Sequence, residues 1–258
     1  MKSTLKTKPT LKKIFAFLSL CTQLACSYIP IGNDIPDEIN VEEGKDYILY
    51  EPQSGAVSTT GLIFYPGGLI EPHAYDVILG TFAAQGYKVI LAKMPLNLAV
   101  FNSNAAFNLI ERYPEIDQWV IAGHSLGGAM ACKAINSRPE VFSGLVLLAA
   151  YPDDQDDISD WNGAVLSISG SEDLITTPDE IQNSKPFLPS GFEIMDPSEI
   201  LNTDLSGTTV FYEIQGANHA QFGNYGSQND DGTAAISGEE QIFQTKEILE
   251  AFWETNNW

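Results

Sequence analysis

From about residue 44 onward, short apolar runs alternate with longer segments of helical period. The runs predict strands at Tyr47–Pro52 (YILYEP), Gly61–Tyr65 (GLIFY), Tyr87–Lys93 (YKVILAK), Gln118–Gly123 (QWVIAG), Gly144–Ala150 (GLVLLAA), Ala164–Gly170 (AVLSISG) and Thr208–Gly216 (TTVFYEIQG). Several are apolar throughout and lack the period-two alternation of a half-exposed strand, which is the pattern of a strand covered on both faces. Helical spacing predicts helices at Ala74–Gln85, Leu98–Arg112, Ser125–Asn136, Pro178–Phe187 and Gly238–Phe252. Strand alternating with helix implies an α/β fold. The expected architecture is a mostly parallel sheet of about seven or eight strands, with right-handed crossovers and helices on both faces.

The start of the chain departs from this alternation. Residues 1–26 (MKSTLKTKPTLKKIFAFLSLCTQLAC) carry five lysines ahead of an apolar run from Ile14 to about Ala25. That run is shorter than the roughly 20 residues a spanning helix needs, and basic, then apolar, then small describes an export signal. Cys26 stands where a bacterial lipoprotein carries its lipidated cysteine, although Gln23 occupies the position where such signals favour Leu. Lipidation at Cys26 and ordinary cleavage near Ala25 both fit, so the expected location is exported: secreted, periplasmic or lipid-anchored at the cell surface. Residues 27–43 (SYIPIGNDIPDEINVEE), rich in turn formers and acids, read as an irregular lead-in to a single domain over 44–258. Only YPDDQDDISDWNG separates Ala150 from the next strand, too few residues for a large cap domain. Its acids lack the glycine and terminal glutamate of an EF-hand loop and read as solvated surface.

Charge narrows the partners. The 258 residues hold 13 bases and 34 acids. Five of the bases and none of the acids precede Cys26, which leaves 8 against 34, a formal −26. Such a surface repels phosphate backbones and anionic lipid, so nucleic acid is excluded as an expected partner, and membrane contact is expected only through an anchor at Cys26. Cleavage leaves Cys26 and Cys132, which implies no disulfide framework.

Gly123-His124-Ser125-Leu126-Gly127 is G-x-S-x-G, with a buried strand before it and a helical pattern after it. That is the setting of a nucleophile held on a tight strand-to-helix turn, where flanking glycines remove side chains that would collide. A serine hydroxyl needs a base, and the chain has three histidines. His124 adjoins the serine and reads as local packing. His73 (GGLIEPHAY) lines a pocket mouth or caps a helix. His219 (IQGANHAQFG) directly follows the last predicted strand and is the candidate base. The base needs an acceptor that fixes its tautomer. Asp173 (SISGSEDLITTP), at the end of a strand between nucleophile and histidine, is the candidate, with the adjacent Glu172 as its rival. The order Ser125, Asp173, His219 is that of the α/β-hydrolases. An oxyanion hole would take the N–H of Leu126 and a second donor from YPGGLIEPHAY, with Gly68 favoured over Gly67.

The stretches LIFYPGGLIEPHAY, LAKMPLNLAVF, IAGHSLGGAMA, GSEDLITTP and GANHAQFGNYG together resemble the α/β-hydrolase family, in particular its small, lidless, dienelactone-hydrolase-like serine hydrolases. The resemblance covers roughly Asp46 to Trp258. It implies the α/β-hydrolase fold, a triad of Ser125, Asp173 and His219, an oxyanion loop around Gly67-Gly68, and no metal or organic cofactor. Dienelactone hydrolases use a cysteine nucleophile, so that activity is not implied for a chain with Ser125. The expected activity is cleavage of carboxylic esters through an acyl-enzyme on Ser125. Acyl transfer, thioester cleavage or perhydrolysis by the same triad, and an inactive hydrolase fold used for binding, remain alternatives.

Overall fold

Strands that are apolar on both faces need cover on both, and the helices of this chain divide accordingly. The computed structural model describes residues 28–32, 35–55 and 58–258; the predicted export signal and Cys26 lie outside them. Among the described residues, nine strands form one sheet: β1 (Ile39–Glu43), β2 (Tyr47–Pro52), β3 (Thr60–Tyr65), β4 (Lys88–Ala92), β5 (Gln118–His124), β6 (Gly144–Leu148), β7 (Ala164–Gly170), β8 (Gly191–Ile194) and β9 (Thr209–Ile214). Their order is β1-β2-β4-β3-β5-β6-β7-β9-β8. Only β1–β2 and β2–β4 are antiparallel.

Among the described residues, five α-helices cover the sheet: α1 (Asp76–Ala83), α2 (Ala105–Ile110), α3 (Leu126–Ser137), α4 (Pro178–Ser184) and α5 (Gly238–Asn256). Alternation within each strand splits the core. Leu62 and Phe64 of β3 pack with α1 residues Ile78 and Phe82 and with α5 residues Ile248 and Phe252. Ile63 and Tyr65 face the other way, toward Leu109 of α2, Cys132 and Ile135 of α3, and Ile181 of α4. Cys132 is a free, buried thiol.

The interior strands match the sequence reading; both edges depart from it. Ile39–Glu43, inside the stretch expected to be an irregular lead-in, forms β1 and pairs along its whole length with β2. Its residues from Asn40 to Glu43 are exposed, and acidic side chains on an edge discourage pairing with other chains. The lead-in is engaged earlier still. Tyr28 N–H donates to the Leu69 carbonyl and Glu71 N–H to that of Tyr28, both at 2.9 Å, and Ile31 N–H donates to the Asn224 carbonyl at 2.8 Å. At the other edge, β8 is only four residues long.

The helix predicted over Leu98–Arg112 is shorter than expected. Tyr65 Oη donates to the Ser103 carbonyl and accepts from the Ala106 N–H at 2.8 Å, so α2 starts only after the Asn102–Asn104 turn. The α4 start follows its sequence signal, because Thr177 and Glu180 form a reciprocal capping box. The segment between β6 and β7 contains no helix.

Candidate active site

Parallel register aligns the strand ends that matter: Tyr65 of β3 lies beside Gly123 of β5, and Gly170 of β7 beside Ile214 of β9. The residues singled out in the sequence follow directly from these ends. β5 stops at His124 and α3 starts at Leu126, so Ser125 makes the whole reversal. Its φ of 52° and ψ of −124° lie where only glycine is at ease, a strain on the order of 1–3 kcal/mol. Its N–H is held by the Leu148 carbonyl at 2.9 Å. The glycines act as the sequence implied. A Cβ on Gly123 would sit 2.5 Å from the backbone of Gly127 and Gly128. One on Gly127 would sit 2.5 Å from the Pro66 carbonyl oxygen and closer still to that of Tyr65.

Asp173 and His219 are both fully buried and bonded to each other, with Nδ1 and Oδ2 2.8 Å apart. The other carboxylate oxygen, Oδ1, accepts the N–H groups of Ile175 at 2.8 Å and Thr176 at 2.7 Å, which fixes the plane of the group. A carboxylate only accepts, so the His219 proton sits on Nδ1 and leaves Nε2 as the basic nitrogen. That Nε2 is buried and bonded to nothing among the described residues, Ser125 included; such bonds commonly tighten only when substrate is bound. Glu172 is exposed, and its carboxylate accepts from the Ser171 hydroxyl at 3.4 Å, with no bond to His219 among the described residues. The structure therefore joins Asp173, and not Glu172, to the histidine.

The histidine loop has two supports that the sequence did not disclose. Asp231 accepts the His219 N–H at 3.3 Å and the Ala220 N–H at 2.9 Å. Gln241, buried on α5, clamps Asn218 from both sides of its peptide, at 3.2 and 2.9 Å. Asp231 lies in a run (QNDDG) that reads as an ordinary turn. A glutamine on the inner face of an amphipathic helix was the one available signal for Gln241.

On the opposite side, Gly68 lies against Leu126: a Cβ built on it would be 3.1 Å from Leu126 Cδ2. Neither the Gly68 nor the Leu126 N–H donates to any group among the described residues. The Gly67 N–H is committed, donating to the Tyr75 hydroxyl at 2.9 Å. This separates the two glycines that the sequence left as first and second choice.

The remaining histidines are placed as well. His73 bonds Asp76 at the start of α1, with Nδ1 3.0 Å from Oδ2, and the buried Asp76 also accepts the Tyr50 hydroxyl at 2.5 Å. His73 thus belongs to a helix start. His124 is fully buried, with its Nδ1 2.8 Å from the Tyr75 hydroxyl and its ring centroid 4.6 Å from that of His219. Burial, and next the neighbouring His219, hold the His124 imidazole well below its ordinary pKa, so it is neutral.

A family model described as the alpha/beta hydrolase family matches residues 61–243. Among solved structures, the fold is similar to an alpha/beta hydrolase enzyme from the metagenome of sediments of the Mar Chica lagoon, Morocco. That likeness has a TM-score of 0.56 at 16% identity and covers 85% of this chain and 100% of that one. A predicted CIB-like hydrolase from Thermoplasma acidophilum gives 0.55 at 14% identity over 82% and 98% of the two chains. A thermophilic esterase from the planctomycete Thermogutta terrifontis gives 0.54 at 12% over 86% and 94%. No functionally curated protein matches the sequence. Identities this low bear on the fold alone, but the family model spans most of the chain, and the protein belongs to the alpha/beta hydrolase family.

Proposed function

We propose that the protein is a serine hydrolase that cleaves carboxylic esters through an acyl-enzyme on Ser125. The observation that carries this reading is the buried Asp173–His219 pair, on the same sheet edge as a serine held at φ 52°. His219 Nε2 takes the Ser125 proton as the hydroxyl attacks the ester carbonyl. Asp173 holds the imidazole in the required tautomer and stabilises it once protonated. The free N–H groups of Leu126 and Gly68 receive the developing oxyanion. His219 returns its proton to the leaving alcohol, then activates water to release the acid. The substrate is an ester with a short or medium apolar chain, or an extended one lying across the surface. Leu96 and Phe101, 78% and 61% exposed, support this, because they flank Leu98, which lies beside Gly68. Incubation of the purified protein with a fluorophosphonate and with p-nitrophenyl esters tests the reading. One covalent adduct at Ser125 together with ester turnover is expected; no adduct and no turnover would refute it.

Export belongs to the same proposal, resting on the lysine-rich start and the short apolar run of residues 1–26. Mass spectrometry of protein from a bacterial host is expected to find the mature N-terminus at or near Cys26. A diacylglyceryl mass there signifies anchoring, and an unmodified terminus release. Recovery of intact Met1 from the native cytoplasm would overturn both versions.

A further inference from the structure

A line of buried polar groups runs from the loop after β3 to the turn at Ser125. Gly67 N–H donates to the Tyr75 hydroxyl, and that hydroxyl lies 2.8 Å from His124 Nδ1. Tyr75 and His124 have no exposed surface, and burial pushes the Tyr75 phenol far above its ordinary pKa, so it keeps its proton. With Gly67 already donating to this oxygen, the phenolic hydrogen has one acceptor in reach among the described residues, His124 Nδ1. The arrangement that serves this hydroxyl has Tyr75 donating to Nδ1 and neutral His124 carrying its proton on Nε2, which is buried and has no partner among the described residues. The next ring along is His219, at 4.6 Å between centroids.

We propose that Tyr75 and His124 are positioning residues for the ester-cleaving site; the proposal rests on the function assigned above. Pro66-Gly67-Gly68 precedes Leu69, whose φ is 62°, and two consecutive glycines leave such a loop many backbone choices. Tyr75 selects one of them by binding the Gly67 amide, which leaves Gly68 N–H as the donor beside Leu126. His124 fixes the direction of the phenol proton, so that the Tyr75 lone pair, and not its hydrogen, faces Gly67. The line thus ties the oxyanion loop to the turn that carries the nucleophile and to the wall of the base. Packing alone does not call for these groups, since an apolar pair of the same shape would avoid their desolvation cost.

The test compares three variants with the wild type. Tyr75→Phe keeps the ring and removes the hydroxyl; kcat on a p-nitrophenyl ester is expected to fall about 10- to 100-fold with KM changed by less than about threefold, the signature of support lost mainly in the transition state. His124→Asn retains an acceptor near the Nδ1 position, whereas His124→Leu suits the surrounding Phe222 and Tyr225 rings but accepts nothing. Asn is expected to hold kcat within about threefold of wild type and Leu to lose about tenfold or more, whereas a packing role ranks them the other way. Wild-type kcat in Tyr75→Phe, or His124→Leu at least as active as His124→Asn, would overturn the proposal. Nitrogen NMR of histidine-labelled wild type gives a readout independent of turnover, because the chain has only three histidines. The His124 signal, identified by its absence from His124→Asn, is expected to show Nδ1 bare and Nε2 protonated, and the reverse would overturn the proposal. A wild type with no turnover at all would refute the ester-cleaving reading, while the tautomer would still decide whether the hydrogen-bonded line exists.

Discussion

Ser125→Ala is expected to abolish turnover of a p-nitrophenyl ester and to block covalent labelling by a fluorophosphonate, with the melting temperature preserved or raised. Loss of the nucleophile in such a triad costs on the order of 10⁴-fold or more. The fold should survive, because what holds the turn is backbone. The Ser125 N–H to Leu148 bond remains in the variant, as does the room left by Gly123 and Gly127. The φ of 52° is strained for Ala as for Ser, so the substitution does not add to that cost. Labelling of the alanine variant at another serine, with turnover retained, would move the site elsewhere.

Asp173→Asn is expected to reduce kcat by about 10⁴-fold, because the substitution reverses the histidine tautomer. Two backbone donors, Ile175 and Thr176, hold Oδ1 of the native carboxylate. An asparagine satisfies them only with its single carbonyl oxygen, which turns its NH₂ toward His219 Nδ1. That nitrogen must then accept, the proton moves to Nε2, and the atom that should take the serine proton becomes a donor. Glu172→Gln removes an exposed charge and should change kcat by less than about tenfold. Both are measured on folded protein at one pH. The opposite ranking would transfer the role to Glu172.

What the sequence disclosed, and what it did not, divides along physical lines. The strands β2 to β7 and β9 were legible because burial on both faces forces continuous apolar runs such as GLIFY and GLVLLAA. Ser125 was legible because a reversal within one residue demands glycines at fixed offsets. Asp173 and His219 followed from their places after β7 and β9. The edge strands carry no such signal, for the complementary reason. β1 faces water, so NVEE reads as loop, and β8 is too short to display a period. Tyr75 and Asp231 were out of reach because their significance is a contact across 49 and 12 residues of chain, to His124 and His219. Nothing local distinguishes a tyrosine in PHAY that supports a loop from one that fills a core. His124 read as packing, and it does pack, but its hydrogen bond to Tyr75 could not be foreseen from its neighbours.

The point where the chain enters the fold has a geometric consequence. Tyr28 is bonded on both sides of its peptide to Leu69 and Glu71, immediately after Gly67-Gly68, and Ile31 is bonded to the loop that follows His219. Residues 28–31 therefore tie the loop that carries Gly68 to the loop that follows His219, although the two lie about 150 residues apart in the chain.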